Sequence, residues 1–230
     1  MLLYPGLKEQ IAGYLHYLYK LGLMPWASGN VSIRIRKAED HADRILIKAS
    51  GIPYYQVRWG YGPAGYGLVV VLDMDGNHVE DGKQPRPSVD TPIHLSIYRR
   101  RPDVMAIVHT HSTYATAFAA LGLSIPCLTT IQADIFGGDI LCGSAFLDDH
   151  DSVAAAIATA TASCPAMLLR NHGVFTVGGN IEEAARAAVL VEEVAKVGFL
   201  ARQAGLAEPL HSETVVRLHK QYQEGYGQKG

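Results

Sequence analysis

The chain has 230 residues, of which 48% are hydrophobic and 18% charged, so it can bury a core without disulfide or metal crosslinks. Its formal net charge of −2 gives no electrostatic footprint for nucleic acid or for an anionic membrane surface. We therefore expect a small-molecule partner, with no nucleic acid and no membrane involved.

The cysteines and the N-terminal sequence bear on the cellular compartment of the protein. Cys127, Cys142 and Cys164 are odd in number and lack the spacing of zinc ribbons or C-x-x-C redox sites, which is typical of reduced core thiols. The N-terminus has no signal-peptide pattern, and no apolar run approaches the roughly 20 residues of a membrane-spanning helix. The sequence thus predicts a cytoplasmic protein.

The first part of the chain predicts a helix followed by strands. Apolar residues recur every three or four positions in residues 7–22, which favours an amphipathic helix. Residues 31–36 alternate strictly between apolar and polar, which predicts a half-exposed strand. Further strands are predicted at residues 44–48 and 68–73, so this part is expected to form a strand-rich meander.

The remainder mixes helices with short apolar strands. Helices are predicted at residues 89–100, 113–121, 152–162 and 181–204, and strands at 106–108, 166–170 and 174–177. The polar tail, residues 221–230, is expected to fray. The order predicts one α/β domain over residues 1–230, in which helices pack on a mixed sheet.

Two histidines follow the apolar strand Ala106-Ile107-Val108. Because side chains alternate along a strand, His109 and His111 are expected to point to the same face. His172 follows another apolar strand, and Asp90 begins the helix before the His109 strand. Three neutral imidazoles, with or without a carboxylate, form a catalytic type of divalent-metal site. A hydrogen-bonded structural role is the alternative for each histidine, and it is the expectation for His94.

Three short polar loops are candidates for binding a phosphate group. Glycine lets a backbone approach an anion closely, serine and asparagine donate hydrogen bonds, and lysine adds positive charge. On spacing alone, ordinary turn residues are the favoured alternative. The loops are Ser28-Gly29-Asn30, Lys48-Ala49-Ser50-Gly51 and Pro87-Ser88.

Taken in order, the segments SGNVS, IKASGIPY, RPSVDTPIHLSIYRRRPDVMAIVHTHS and LLRNHGVFTVG resemble the class II aldolase and adducin superfamily over nearly the whole chain. The resemblance implies a three-layer α/β/α domain with a central mixed, mainly antiparallel sheet. It also implies a homotetramer with active sites at subunit interfaces. By the resemblance, His109, His111 and His172 hold a divalent ion, zinc first, with manganese or cobalt as alternatives. The implied phosphate-binding residues are Gly29, Asn30, Ser50, Gly51 and Ser88, with Lys48 nearby.

Within the superfamily, the chain is most similar to the L-ribulose-5-phosphate 4-epimerase branch. Asp90 follows the PS motif as in that branch, whereas fuculose-phosphate aldolases carry glutamate there. The stretches TTIQAD and GYGQ imply Asp134 and Tyr226 as the acid and base, acting at the metal of a neighbouring subunit. Asp90 is expected to bind the metal or to orient a ligand histidine. The implied reaction is a metal-dependent retro-aldol step on a phosphorylated ketose.

Three features depart from the epimerase pattern. Val89 stands where the epimerases have a second serine, TTIQAD carries one residue more and lacks a histidine, and the segment 59–67 is unusually rich in glycine and tyrosine. The alternatives are therefore a fuculose-phosphate type of aldolase, or a decarboxylase or dehydratase of the superfamily. A non-catalytic adducin-like interaction domain is disfavoured, because all three histidines are present.

Overall fold

The chain folds into alternating helices and strands in the computed structural model, which describes residues 3–37, 42–54, 68–143 and 149–225. Within these ranges there are seven helices: α1 (Pro5–Lys20), α2 (Thr91–Arg100), α3 (Thr113–Leu121), α4 (Thr130–Phe136), α5 (His150–Ala160), α6 (Ile181–Ala204) and α7 (Ser212–Gly225). The strands are β1 (Asn30–Ile35), β2 (Arg44–Lys48), β3 (Val69–Asp73), β4 (Ala106–Thr110), β5 (Cys142–Gly143), β6 (Ala166–Leu169) and β7 (Gly173–Gly178).

All seven strands form one sheet, in the order β3-β2-β1-β4-β7-β6-β5. Every neighbouring pair is antiparallel except β5 and β6, which are parallel. The predicted mixed, mainly antiparallel sheet and the predicted β1–β3 meander are therefore confirmed. In the centre of the sheet, His109 on β4 pairs with Asn30 on β1 and with Phe175 on β7.

Helices cover both faces of the sheet. On one face, α1, α3 and α6 bury apolar side chains such as Ile11, Phe118 and Val191 against the strands. On the other face, α2 and α5 do the same with residues such as Ile97 and Ile157. The predicted three-layer α/β/α arrangement is confirmed.

Helices α4 and α7 pack against each other through Ala133 and Val215 and lie beside the main layers. Neither was predicted from the sequence. Fraying, expected from the polar composition alone, was wrong for residues 221–225, which continue α7; this helix packs against α4 through Val215 and Leu218. Residues 226–230, including Tyr226, and the segment 59–67 lie outside the described residues.

Two boundaries differ from the predictions for identifiable reasons. Helix α1 begins at Pro5, whose fixed φ suits a first helical turn. Helix α2 begins at Thr91 because Asp90 is its N-cap residue. Within the described ranges every helix is too short or too polar for a bilayer crossing. The three cysteines are free thiols, as predicted.

Candidate metal and substrate site

His109 lies near the end of β4 and is completely buried. Its Nδ1 lies 2.8 Å from the carbonyl oxygen of Val174 on the neighbouring strand. Since a carbonyl only accepts, Nδ1 carries the proton and donates it, and the lone pair remains on Nε2. The sheet itself therefore fixes both the tautomer and the direction of this imidazole.

His111 and His172 meet His109 at this Nε2 atom. Each places its own Nε2 at 3.0 Å from Nε2 of His109, and the three atoms lie within 4.8 Å of one another. His172 lies in the turn between β6 and β7. The next residue, Gly173, lets this turn approach β4 closely, because a Cβ at Gly173 would lie 2.5 Å from the carbonyl oxygen of Thr110. The structure thus brings His172 to the His109–His111 pair, although His172 lies 63 positions after His109 along the chain.

The protonation state of the cluster suits a metal ligand set. Burial lowers the pKa of His109 well below its usual value, and the neighbouring imidazoles lower it further. Burial also lowers the pKa of His111 and of His172. Neutral imidazoles at pH 7 offer lone pairs rather than protons, and the 3.0 Å separations are close to the roughly 3.3 Å expected between nitrogens around a tetrahedral ion. The donor set therefore fits a divalent cation.

Asp90 lies at the edge of the cluster. Its Oδ2 is 4.0 Å from Nε2 of His109, and the side chain is 15% exposed. As the N-cap residue of α2 it makes no capping hydrogen bond with its carboxylate. Instead, Asn30 donates from Nδ2 to the Asp90 carboxylate at 2.6 Å and to Ser88 Oγ at 2.9 Å. The amide of Asn30 thus holds the carboxylate beside the histidines.

The loop that precedes Asn30 lies directly on β4. Gly29 has φ +74°, and a Cβ on it would lie 2.5 Å from the carbonyl oxygen of His109, so only glycine fits. The hydroxyl of buried Tyr54, which the sequence did not single out, donates to the carbonyl oxygens of Ser28 and Gly29. These contacts explain how the loop can approach the three histidines so closely.

Lys48 is buried beside this loop. Its Nζ donates to the carbonyl oxygens of Ala27 and Ala49, each at 3.1 Å, and lies 5.0 Å from the centre of the Tyr54 ring. Burial lowers the pKa of Lys48 to about 8, and the nearby charge of Asp90 opposes this shift. Two of the three ammonium protons are thus used within the protein, which leaves one for a ligand.

The three polar loops are joined by backbone hydrogen bonds. The amide of Ser88 donates to the carbonyl of Lys48, and the amide of Ser50 donates to the carbonyl of Arg86. Ser50 and Gly51 are exposed, and the Cα of Gly51 faces open space. All six residues predicted to bind phosphate therefore lie in loops that are joined to one another by hydrogen bonds. The hydrogen bond from Asn30 to Asp90 connects these loops to the carboxylate beside the histidines.

Three buried polar residues, Ser32, His94 and Tyr98, form a hydrogen-bonded group between β1 and α2, and most of this group was not predicted from the sequence. Ser32 Oγ lies 2.7 Å from both His94 Nδ1 and the Tyr98 hydroxyl. The predicted half-exposed strand was wrong at this point: Ser32 is completely buried because α2 covers the polar side of β1. His94 is satisfied only at Nδ1, since its buried Nε2 has no hydrogen-bond partner within the described residues. Burial lowers the pKa of His94 to about 3.

Of the two predicted acid–base residues, Asp134 is described by the structure, and it lies outside this cluster. Asp134 lies half-buried on α4, where its carbonyl oxygen accepts a hydrogen bond from His219 of α7 at 2.8 Å. Among the described residues no hydrogen bond or ion pair joins Asp134 to the three histidines. Tyr226 lies outside the described residues.

Comparison with known proteins gives consistent matches. Residues 9–199 match the family described as Class II Aldolase and Adducin N-terminal domain. The chain is 34% identical to an L-ribulose-5-phosphate 4-epimerase, UlaF, of Salmonella paratyphi C (strain RKS4594), over 97% of this chain and 99% of that protein. Its fold is similar to a solved L-fuculose 1-phosphate aldolase with a TM-score of 0.83 and 27% identity, over 96% of this chain and 98% of the other. A solved L-fuculose 1-phosphate aldolase from Glaciozyma antarctica PI12 is also similar, with a TM-score of 0.73 and 25% identity over 93% of this chain and 80% of the other. The chain belongs to the class II aldolase and adducin family.

Proposed function

We propose that this chain is a divalent-metal-dependent sugar-phosphate epimerase that acts on L-ribulose 5-phosphate. The observation that carries the proposal is the convergence of three neutral imidazoles beside Asp90. The polar loops connected to Asp90 supply a place for the substrate phosphate. Epimerisation is favoured over other reactions because the epimerase UlaF is 34% identical over 97% of this chain and 99% of its own length.

In this proposal His109, His111 and His172 are the metal ligands. The metal is zinc, with manganese and cobalt as alternatives that the same nitrogen ligands accept. When bound, a divalent ion would act as a Lewis acid on the carbonyl and hydroxyl oxygens of a ketose. Asp90, held by Asn30, either completes the ligand set or orients His109.

The substrate phosphate is assigned to the connected loops. Lys48 supplies positive charge with its remaining ammonium proton, and Ser50 and Ser88 supply hydroxyl groups. The backbone of these loops can approach the anion closely at Gly29 and Gly51, and the side-chain amide of Asn30 lies beside them. Val89, between Ser88 and Asp90, is 75% exposed and offers no hydrogen bond, so this anion site has one hydroxyl fewer than the epimerase pattern.

Epimerisation needs a proton-transfer group on each face of the carbon that is inverted. We assign these roles to Asp134 and Tyr226 of a neighbouring chain in a homotetramer. Among the described residues no hydrogen bond or ion pair joins Asp134 to the histidines of its own chain, which supports a contribution across a subunit interface. One group removes the proton from the substrate hydroxyl as the carbon–carbon bond breaks, and the other returns a proton after the fragment has turned and rejoined.

We further propose that residues 1–230 form a single domain and that the enzyme is cytoplasmic. One sheet runs through the described ranges from β1 to β7, which supports the single domain. The free thiols of Cys127, Cys142 and Cys164 support a reducing compartment.

The second candidate is a class II aldolase that cleaves a ketose phosphate. The similarity to L-fuculose 1-phosphate aldolase, with a TM-score of 0.83, favours it, and the same histidines would serve. An aldolase would release the aldehyde fragment that an epimerase retains. Decarboxylases and dehydratases of the superfamily would use the same cluster, whereas an interaction module would not need it.

A product analysis tests the proposal. The purified chain is loaded with Zn²⁺ and incubated with L-ribulose 5-phosphate, and xylulose phosphate is resolved from cleavage products. We expect interconversion of the two pentose phosphates without net cleavage, and no reaction in His109→Ala treated in the same way. Net cleavage would favour the aldolase. Bound metal without any reaction would contradict the assigned substrate.

A further inference from the structure

The first turn of α3 is capped in an unusual way. Ser112 is its N-cap residue, a position from which serine normally accepts a hydrogen bond from the second or third helical amide. Here the Ser112 side chain makes no such bond, and its buried Oγ has no partner within the described residues. Another group must therefore satisfy these amides.

Glu192 on α6 supplies both acceptors. Its Oε1 accepts from the amide of Tyr114 at 2.9 Å and its Oε2 accepts from the amide of Ala115 at 3.0 Å. These are the second and third amides of α3, and a carboxylate at a helix N-terminus is also favoured by the helix dipole. A serine cap acts within one helix, whereas this cap fixes the start of α3 relative to α6.

Two further contacts from α6 hold the same turn. The ammonium of Lys196 lies 6.0 Å from the centre of the Tyr114 ring, and the ring of Phe199 lies 5.6 Å from that of Tyr114, centre to centre. Helix α6 in turn packs on β4 and β7, the strands that position His109 and His172. Helix α6 thus connects the start of α3 to the part of the sheet that carries the histidine cluster.

His111 is the histidine whose direction depends on this connection. It lies between the end of β4 and Ser112, and its amide donates to the carbonyl oxygen of Leu23 at 3.1 Å. His109 is fixed by a ring hydrogen bond to Val174, whereas His111 is only partly buried. A shift of the first turn of α3 would therefore move His111 relative to the other two imidazoles.

We propose that Glu192 is a positioning residue of the metal site: by capping α3 from α6, its carboxylate sets the direction of the His111 imidazole. The proposal rests on the metal site proposed above. Metal binding demands ligand positions within a few tenths of an ångström. The loss of a group that orients a ligand typically weakens metal binding by about 10- to 100-fold.

The test compares four full-length, metal-free proteins: wild type, Glu192→Ala, Glu192→Gln and Asp149→Ala. Co²⁺ is titrated into each by calorimetry, and the visible spectrum of the bound Co²⁺ reports its coordination geometry. Asp149→Ala is a matched control, because Asp149 also accepts from two backbone amides at a helix start, those of Asp151 and Ser152. Urea unfolding of the metal-free proteins measures the stability lost in each variant.

We expect wild type to bind one Co²⁺ and Glu192→Ala to bind it about 10- to 100-fold more weakly, with an altered spectrum. Glu192→Gln should lie between them, since an amide retains one acceptor oxygen of the same reach. Asp149→Ala should lose stability but keep wild-type affinity and spectrum.

Wild-type Co²⁺ affinity and spectrum in both Glu192 variants would overturn the positioning role. Equal losses of Co²⁺ affinity in Glu192→Ala and Asp149→Ala would overturn it as well. Failure of the wild type to bind Co²⁺ would instead overturn the proposed metal site, and the role of Glu192 with it.

Discussion

The ring of Phe175 lies nearly parallel to the imidazole of His109, with centroids 4.2 Å apart and 17° between the planes. The two residues are direct partners across the β4–β7 pair, so the register of the sheet creates the stack. Together with the hydrogen bond from Nδ1 to Val174, the stack restricts rotation of the imidazole. His109 is thereby held with Nε2 towards the other two histidines.

Replacing Phe175 by leucine should weaken metal binding as well as stability. The substitution keeps an apolar side chain in the core but removes the flat surface against His109, so the imidazole can turn. We expect a loss of about 1–3 kcal/mol in the free energy of unfolding and weaker Zn²⁺ binding by calorimetry. The control is Phe136→Leu, a buried phenylalanine of α4. If both variants keep wild-type affinity, the stack does not orient His109.

Gly29→Ala should be far more damaging than Gly51→Ala. Both glycines have a positive φ, +74° and +72°, so both substitutions strain the backbone by about 1 kcal/mol. Only at Gly29 would the new Cβ meet another group, the oxygen of His109 at 2.5 Å, whereas Gly51 faces open space. Thermal unfolding should show a clearly larger decrease in Tm for Gly29→Ala. Equal decreases would contradict the close approach of this loop to β4.

His94 should make the metal-free protein sensitive to acid. Its pKa is about 3 in the folded state because it is buried, whereas an unfolded histidine titrates near 6.5. The unfolded state therefore binds an extra proton below pH 6.5, and stability falls as the pH decreases from 6.5 towards 3. Each histidine of this kind contributes up to about 1.4 kcal/mol per pH unit.

In urea unfolding between pH 7 and 5, His94→Gln should therefore lose stability less steeply than wild type. The variant has a lower stability at pH 7, so the comparison is between slopes rather than absolute values. Parallel slopes would mean that His94 is protonated in the folded protein at these pH values.

Lys48 should make phosphate binding depend on pH near 8. Burial lowers the pKa of its ammonium group to about 8, so the positive charge is present below this pH and lost above it. Calorimetry with inorganic phosphate should give an affinity that falls as the pH rises from 7 to 9.5. Lys48→Met should bind more weakly at pH 7 and lack this dependence. An affinity of the wild type that stays constant to pH 9.5 would separate Lys48 from the anion site.

The sequence predicted the central elements because their signals are local. The apolar strand before His109 and the alternation on the strand place His109 and His111 on one face. The meeting with His172 did not follow from spacing, because it depends on the β4–β7 register and on the close packing at Gly173. The family resemblance supplied that part of the prediction.

The parts that were missed depend on contacts between distant segments or on weak local signals. Helix α7 is mostly polar and buries only Val215 fully, and its few apolar side chains gain their partners only where the helix meets α4. Helix α4 has only seven residues, although Thr129 followed by Gln132 is a capping-box pattern, and the Gln132 amide does bond to Thr129. No local pattern marks Glu192, whose partners lie 77 and 78 positions earlier in the chain.

The most direct test of the proposed metal site is the metal content of the purified chain and of its His109→Ala and His172→Ala variants. After loading with Zn²⁺ and removal of excess metal, elemental analysis should find one equivalent per wild-type chain and little in either variant. Circular dichroism checks that the variants remain folded. Undiminished metal in both folded variants would contradict the assignment of the three histidines as the metal site, and with it the proposed chemistry.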